Sequence, residues 1–148
     1  MNAINEIEIR YQNNIPKKAW KKIGSSSQAA QVLFDHWDKN TIGLHESFKV
    51  VLLDNGNRVK GIYEISKGGI TGTLVDLRIL FAVTLKSLSV SIILCHNHPS
   101  GTLKASSTDK AITEKIRKAS KLFDIVVLDH IIITPDGSYY SFADEGIF

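Results

Sequence analysis

Cysteine occurs once in these 148 residues, at position 95, so no internal disulfide can form and nothing calls for an oxidising compartment. No apolar run approaches the roughly 18 residues that a membrane span needs, which excludes a bilayer as expected partner. The opening MNAINEIEIRYQ lacks the basic head and apolar centre of a secretion signal, leaving the cytoplasm as the expected compartment. Strong charge of either sign is missing as well, with 18 Lys+Arg against 15 Asp+Glu. The basic residues gather in PKKAWKK (16–22) and along Lys110, Lys115, Arg117, Lys118 and Lys121. A solvated face accounts for them as readily as a phosphate-binding one does. No feature speaks to oligomeric state.

What is present reads as alternating helices and strands in one α/β domain. INEIEIRY places Ile7, Ile9 and Tyr11 on one face and predicts a first strand, followed by a polar connector to residue 24. SSSQAAQVLFDHW predicts a helix, with Ser25 and Gln28 at capping-box spacing and Val32, Leu33 and Trp37 on one side. ESFKVVLL and RVKGIYEI predict a hairpin whose tight turn is expected to draw its positive φ angles from Asn55-Gly56. SKGGITGT reads as a loop. DLRILFAVTLKSL follows as a helix capped by Asp76, with Leu77, Leu80, Phe81, Thr84, Leu85 and Leu88 at helical spacing. Then come a short strand ending in CHNH, a second amphipathic helix in SSTDKAITEKIRKASKLF, and a closing hairpin around PDG.

Histidine is scarce, five in all, yet His96 and His98 lie two residues apart at the strand end. Residues i and i+2 of a strand share a face, roughly 6.6 Å apart at the backbone, so both imidazoles can reach one metal. Cys95 and Asn97 point the other way, and Cys95 reads as a core residue. Asp109, in the first turn of the next helix, can supply a carboxylate once the loop folds back. Two histidines and one aspartate would leave a tetrahedral zinc with its fourth position open to water. Ser106 and Asp109 also match a capping box, which needs no metal.

Hydrolysis would further need a general base. Glu46 shares a strand face with Phe48, Val50 and Leu52, the inward side, whereas Glu64 shares one with Arg58, Lys60 and Ser66. A carboxylate on an apolar face is costly unless paired or functional, which favours Glu46 over Glu64; a hydrated strand end would also explain it. His130, within VLDHIIIT, reads as a core histidine hydrogen-bonded to backbone or to Asp129, in preference to one that supports a metal ligand from behind. His36 and His45 have no evident partners.

The order Glu46, then His96-x-His98-Pro99, then Ser106-x-x-Asp109, resembles the JAMM zinc motif of JAB/MPN metalloproteases. More narrowly, HNHPSG, LDHIII and YYSFADEG resemble the RadC family, bacterial proteins traditionally called DNA-repair proteins. The likeness runs from about residue 25 to the end. It implies a mixed, curved sheet with helices on both sides, similar to the three-layer cytidine-deaminase fold. It implies one zinc per chain held by His96, His98 and Asp109, with Glu46 as general acid/base and Ser106 stabilising an oxyanion. The implied activity is cleavage of a peptide or isopeptide bond in a peptide or protein substrate. The alternatives are a nucleic-acid-associated repair module and a non-catalytic interaction domain. Two positions depart from the common pattern, Ala105 in place of proline and Leu77-Arg78-Ile79 in place of Pro-Arg-Glu. The helix-hairpin-helix region common in full-length members is also missing, which makes a DNA role the weaker expectation. The deaminase signature His-x-Glu with Pro-Cys-x-x-Cys is absent, and adjacent HNH letters do not make an HNH nuclease.

Overall fold

Amphipathic segments with opposite apolar periods wrap a single sheet. The computed structural model describes residues 3–8, 10–68 and 74–148. Five strands, β1 (Ser47–Leu53), β2 (Val59–Lys67), β3 (Ser91–Asn97), β4 (Val126–Ile133) and β5 (Tyr139–Ser141), lie in the order β2-β1-β3-β4-β5. β3 and β4 run parallel and the other neighbours antiparallel, so the sheet is mixed. Among the described residues three α-helices accompany it: α1 (Ser26–His36), α2 (Leu77–Lys86) and α3 (Ser107–Lys121).

Strand alternation sorts the core into two layers. Val51, Leu53, Ile93, Cys95, Ile131 and Ile133 point to one face, against Ala29, Ala30, Leu33 and Trp37 of α1 and its C-cap. Phe48, Val50, Leu52, Ile92 and Leu94 point to the other, against Leu80 and Phe81 of α2 and Ile116 of α3. Helices therefore cover both faces, and β3, in the middle, is buried along its whole length. The caps follow from the sequence. Ser25 accepts from the Gln28 amide, and the Gln28 side chain reaches back to Gly24 rather than to Ser25. Asp76 caps α2 through the Arg78 amide.

Three expectations need correction. The predicted first strand is not formed: residues 3–8 and 10–15 belong to no strand, and Ile4 and Ile7 are 77% and 87% exposed. Alternation makes a strand only where a sheet face can take up its apolar side, and no face meets these isoleucines; Ile9 itself lies outside the described residues. In the β1–β2 hairpin the left-handed residue is Asn57 (φ 58°), not the Asn55-Gly56 pair. The connection is a five-residue loop whose turn still centres on Asn55 and Gly56, the Asn57 amide bonding the Asp54 carbonyl at 3.0 Å, while Asp54 Oδ1 accepts from the Gly56 and Arg58 amides. Helix α2 stops short, because Leu88 adopts φ 52°, and Leu85 and Leu88 stay 43% and 80% exposed. The glycine-rich loop predicted over 66–73 falls largely on 69–73, outside the described residues. Among the described residues no helix is long and apolar enough to cross a membrane.

Candidate metal centre

The parallel crossover from β3 through α3 to β4 determines where the site lies. It brings the N-terminus of α3 back beside the carboxyl end of β3. The nine intervening residues turn immediately after His98, where Gly101 takes φ 84° and its amide bonds the His98 carbonyl at 3.0 Å. A side chain would strain that left-handed angle. His98 continues the β3 line by one residue, its amide bonding the Ile133 carbonyl of β4 at 2.9 Å. Both imidazoles consequently project from the same face, as alternation requires.

The side chains of His96, His98 and Asp109 come together, each offering a ligand atom within 4.8 Å of the others. His96 Nε2 lies 2.9 Å from His98 Nε2, and the Asp109 oxygens lie 3.4 Å from His96 Nε2 and 3.5 Å from His98 Nε2. A tetrahedral ion with bonds of about 2.0–2.1 Å needs its ligand atoms about 3.3 Å apart, so this triangle has the size of a metal face. Tautomer supports the fit. His98 Nδ1 lies 2.8 Å from the Thr102 carbonyl, which can only accept, so the proton is on Nδ1 and the Nε2 lone pair faces the cluster. The cluster could therefore hold a metal ion.

The capping box and the metal cluster use the same aspartate. Ser106 Oγ accepts from the Asp109 amide at 3.0 Å, and Asp109 Oδ2 accepts from the Ser106 amide at 2.9 Å. Capping aims the carboxylate and leaves lone pairs for a cation. Burial pushes the Asp109 carboxyl up, but its pairing with the His96 and His98 rings and the Ser106 amide outweighs burial and holds the group far below the ordinary carboxylate range. The same pairing with Asp109 raises His98 above the usual imidazole value, against burial.

Glu46 directly precedes β1. Continuing the β1–β3 register from Phe48 opposite His96 places it across from His98. It is half-buried, and it lines both the groove of about 630 Å³ over His96 and Asp109 and the smaller recess holding His98 and Ser106. Glu64, by contrast, is exposed on β2. Cys95 is fully buried in the α1-side core, and burial drives its thiol far up, so it is no ligand.

Two residues of the site escaped sequence reasoning. Asn97, completely buried, accepts from the Ser47 amide at 2.8 Å and donates to the carbonyls of Ile42 at 2.7 Å and His45 at 2.9 Å. It thereby ties the segment bearing Glu46 to the strand bearing the histidines. His130 is not bonded to Asp129 through its ring, as expected from the sequence; Asp129 Oδ1 accepts from the His130 backbone amide. The His130 ring is instead enclosed behind His96, stacked on Phe142 at 4.5 Å, and burial holds it well below the usual imidazole value.

The family described as RadC-like JAB domain matches residues 23–147. A "UPF0758 protein" of Flavobacterium johnsoniae is 48% identical over 130 residues, covering 86% of this chain and 54% of that protein. Another, of Porphyromonas gingivalis, is 39% identical over 102 residues, covering 69% of this chain and 45% of that protein. The chain thus spans about half the length of the curated relatives it matches.

Proposed function

The chain belongs to the RadC-like JAB domain family, and from that footing we propose that it is a zinc-dependent hydrolase cleaving a peptide or isopeptide bond. One observation carries the reading: His96, His98 and Asp109 converge at metal-ligand spacing while Glu46 opens onto the same groove without belonging to the cluster. Zinc held there would supply Lewis acidity, polarising a carbonyl oxygen and acidifying water. Glu46 takes the proton from the attacking water as its oxygen bonds the carbonyl carbon. It then returns that proton to the amine nitrogen as the C–N bond breaks. The Ser106 hydroxyl, whose oxygen already accepts the Asp109 amide, keeps its own proton to donate to the oxygen that gains charge. Phe48, Val75, Leu77 and Ile112 give the groove an apolar wall, suited to an apolar side chain beside the scissile bond.

The test has two parts. Metal analysis of the purified chain is expected to find one zinc, lost in His96→Ala and His98→Ala. Cleavage of a library containing both peptide and isopeptide linkages is then expected for the wild type and absent for the alanine variants. Turnover that survives His96→Ala would refute the assignment, as would a zinc-supplemented wild type that retains no metal.

A further inference from the structure

We propose that His130 is a positioning residue that sets the metal-binding tautomer of His96, with Thr113 of α3 setting the tautomer of His130 in turn. The inference rests on His96 being a metal ligand. It is carried by a chain of three short contacts, Asp109 carbonyl to Thr113, Thr113 to His130 and His130 to His96 Nδ1, that one proton assignment satisfies.

The chain starts at an oxygen that can only accept. Thr113 Oγ1 lies 2.7 Å from the Asp109 backbone carbonyl, so the one hydroxyl proton of Thr113 points there. Placing it elsewhere would set two oxygen lone pairs face to face at that distance. Thr113 Oγ1 also lies 2.6 Å from His130 Nδ1, and with its proton committed it accepts. His130 therefore carries its proton on Nδ1. The ring is completely buried, with Phe142 stacked on it and Phe48 at its edge, and neither ring nitrogen touches a carboxylate. In such surroundings it is the neutral imidazole, and its Nε2 is a bare acceptor. His130 Nε2 lies 2.7 Å from His96 Nδ1, so His96 donates through Nδ1. That leaves the His96 Nε2 lone pair facing His98 Nε2 and Asp109.

The consequence is that the ligating nitrogen of His96 is fixed before any ion arrives. His98 is set by the Thr102 carbonyl on one side, and His96 by the His130–Thr113 relay on the other. The relay also closes on itself, because it starts from the backbone carbonyl of Asp109, the third ligand. Partners that orient a ligating histidine are worth roughly 10- to 100-fold in metal affinity.

The experiment reads the tautomers in the metal-free chain and the affinity separately. Long-range nitrogen–proton NMR at pH 8 is expected to show His96 and His130 both protonated on Nδ1 in the wild type. His130→Phe keeps a stacked ring and removes the acceptor; it is expected to lose the His96 Nδ1–H state and to weaken zinc binding about 10- to 100-fold in chelator competition. His130→Gln, whose amide oxygen can accept in place of Nε2, is expected to recover most of that loss. A purely structural His130 predicts the opposite, equal affinities for folded Phe and Gln variants, and that result overturns the proposal. Should His130→Phe fail to fold, Thr113→Val decides: the His96 and His130 signals must both move, and unchanged signals overturn the proposal. A wild type that binds no zinc refutes the metal reading instead. The relay is then judged on the nitrogen shifts alone, upheld with the His96 proton on Nδ1 and overturned with it on Nε2.

Discussion

Replacing Asn97 with alanine tests how Glu46 is held. The side chain is fully buried and makes three hydrogen bonds of 2.7–2.9 Å, to Ser47, Ile42 and His45. Each buried bond contributes about 1 kcal/mol net, and truncation strands two carbonyls and one amide, so Asn97→Ala is expected to cost about 3 kcal/mol. For a chain of this length, one kcal/mol moves the melting temperature by about 2–4 °C, which puts the expected drop at about 6–12 °C. Urea denaturation at 25 °C gives the free energy, and hydrogen exchange at the Ser47 amide reports on the segment itself. Exchange there should accelerate more than at Ile92 or Leu94 in the middle of β3. Asn97→Asp should be no milder, since its carboxylate would face two carbonyl oxygens. A loss below about 1 kcal/mol with the Ser47 amide still protected would show that something else anchors the 42–47 segment, and the argument would fall.

Four further outcomes are expected. Glu46→Gln should keep zinc and fold, yet lower turnover by about 10² or more, because an amide of equal volume cannot take up a proton; unchanged cleavage would leave Glu46 a hydrated strand end, and lost zinc would make it a ligand. Cys95 should resist alkylation at pH 8 in the folded chain and react once urea exposes it, given its burial and raised thiol value; fast labelling of native protein contradicts the register assigned to β3. His98 is raised above its unfolded value, chiefly by Asp109, so its contribution to the metal-free fold is complete below the unfolded value and fades as pH rises through the folded one. Zinc must displace that proton, so its affinity should strengthen over the same rise, with proton release visible by calorimetry in buffers of different ionisation heat; a pH-independent affinity would count against His98 as a ligand. Nucleic acid should bind weakly at most and be released steeply by salt, and tight binding at physiological salt would contradict this.

Local pattern was enough to determine most elements. The buried run of β3, the Ser25 and Asp76 caps and the paired faces of β1 are all set by side chains within a few residues of one another. The same short range explains why the direction of Cys95 and the shared face of His96 and His98 were legible, since strand alternation is a local rule. It explains the errors too. The alternation at Ile7, Ile9 and Tyr11 looks like a strand, but pairing is decided by a distant edge, which leaves Ile7 and Tyr11 exposed. The hairpin turn does centre on Asn55-Gly56, but its positive φ falls on Asn57, because a five-residue loop pinned by the Asp54 carboxylate replaces a two-residue turn.

The site divides along the same line. Sequence spacing could nominate His96, His98 and Asp109, strand alternation could favour Glu46 over Glu64, and the family likeness could add the roles of Glu46 and Ser106. Only the β3–α3–β4 crossover decided that a helix cap and a strand end would meet at metal-ligand distances. Asn97 and His130 were illegible for a physical reason. A buried asparagine is defined by the three backbone groups around it, which lie 50–55 residues away in the chain. His130 is defined by His96, 34 residues away, and Thr113, 17 residues away. No pattern within either residue's own strand encodes those partners. Burial made them obligatory, and the packing of α3 and the 42–47 segment against the sheet supplied them.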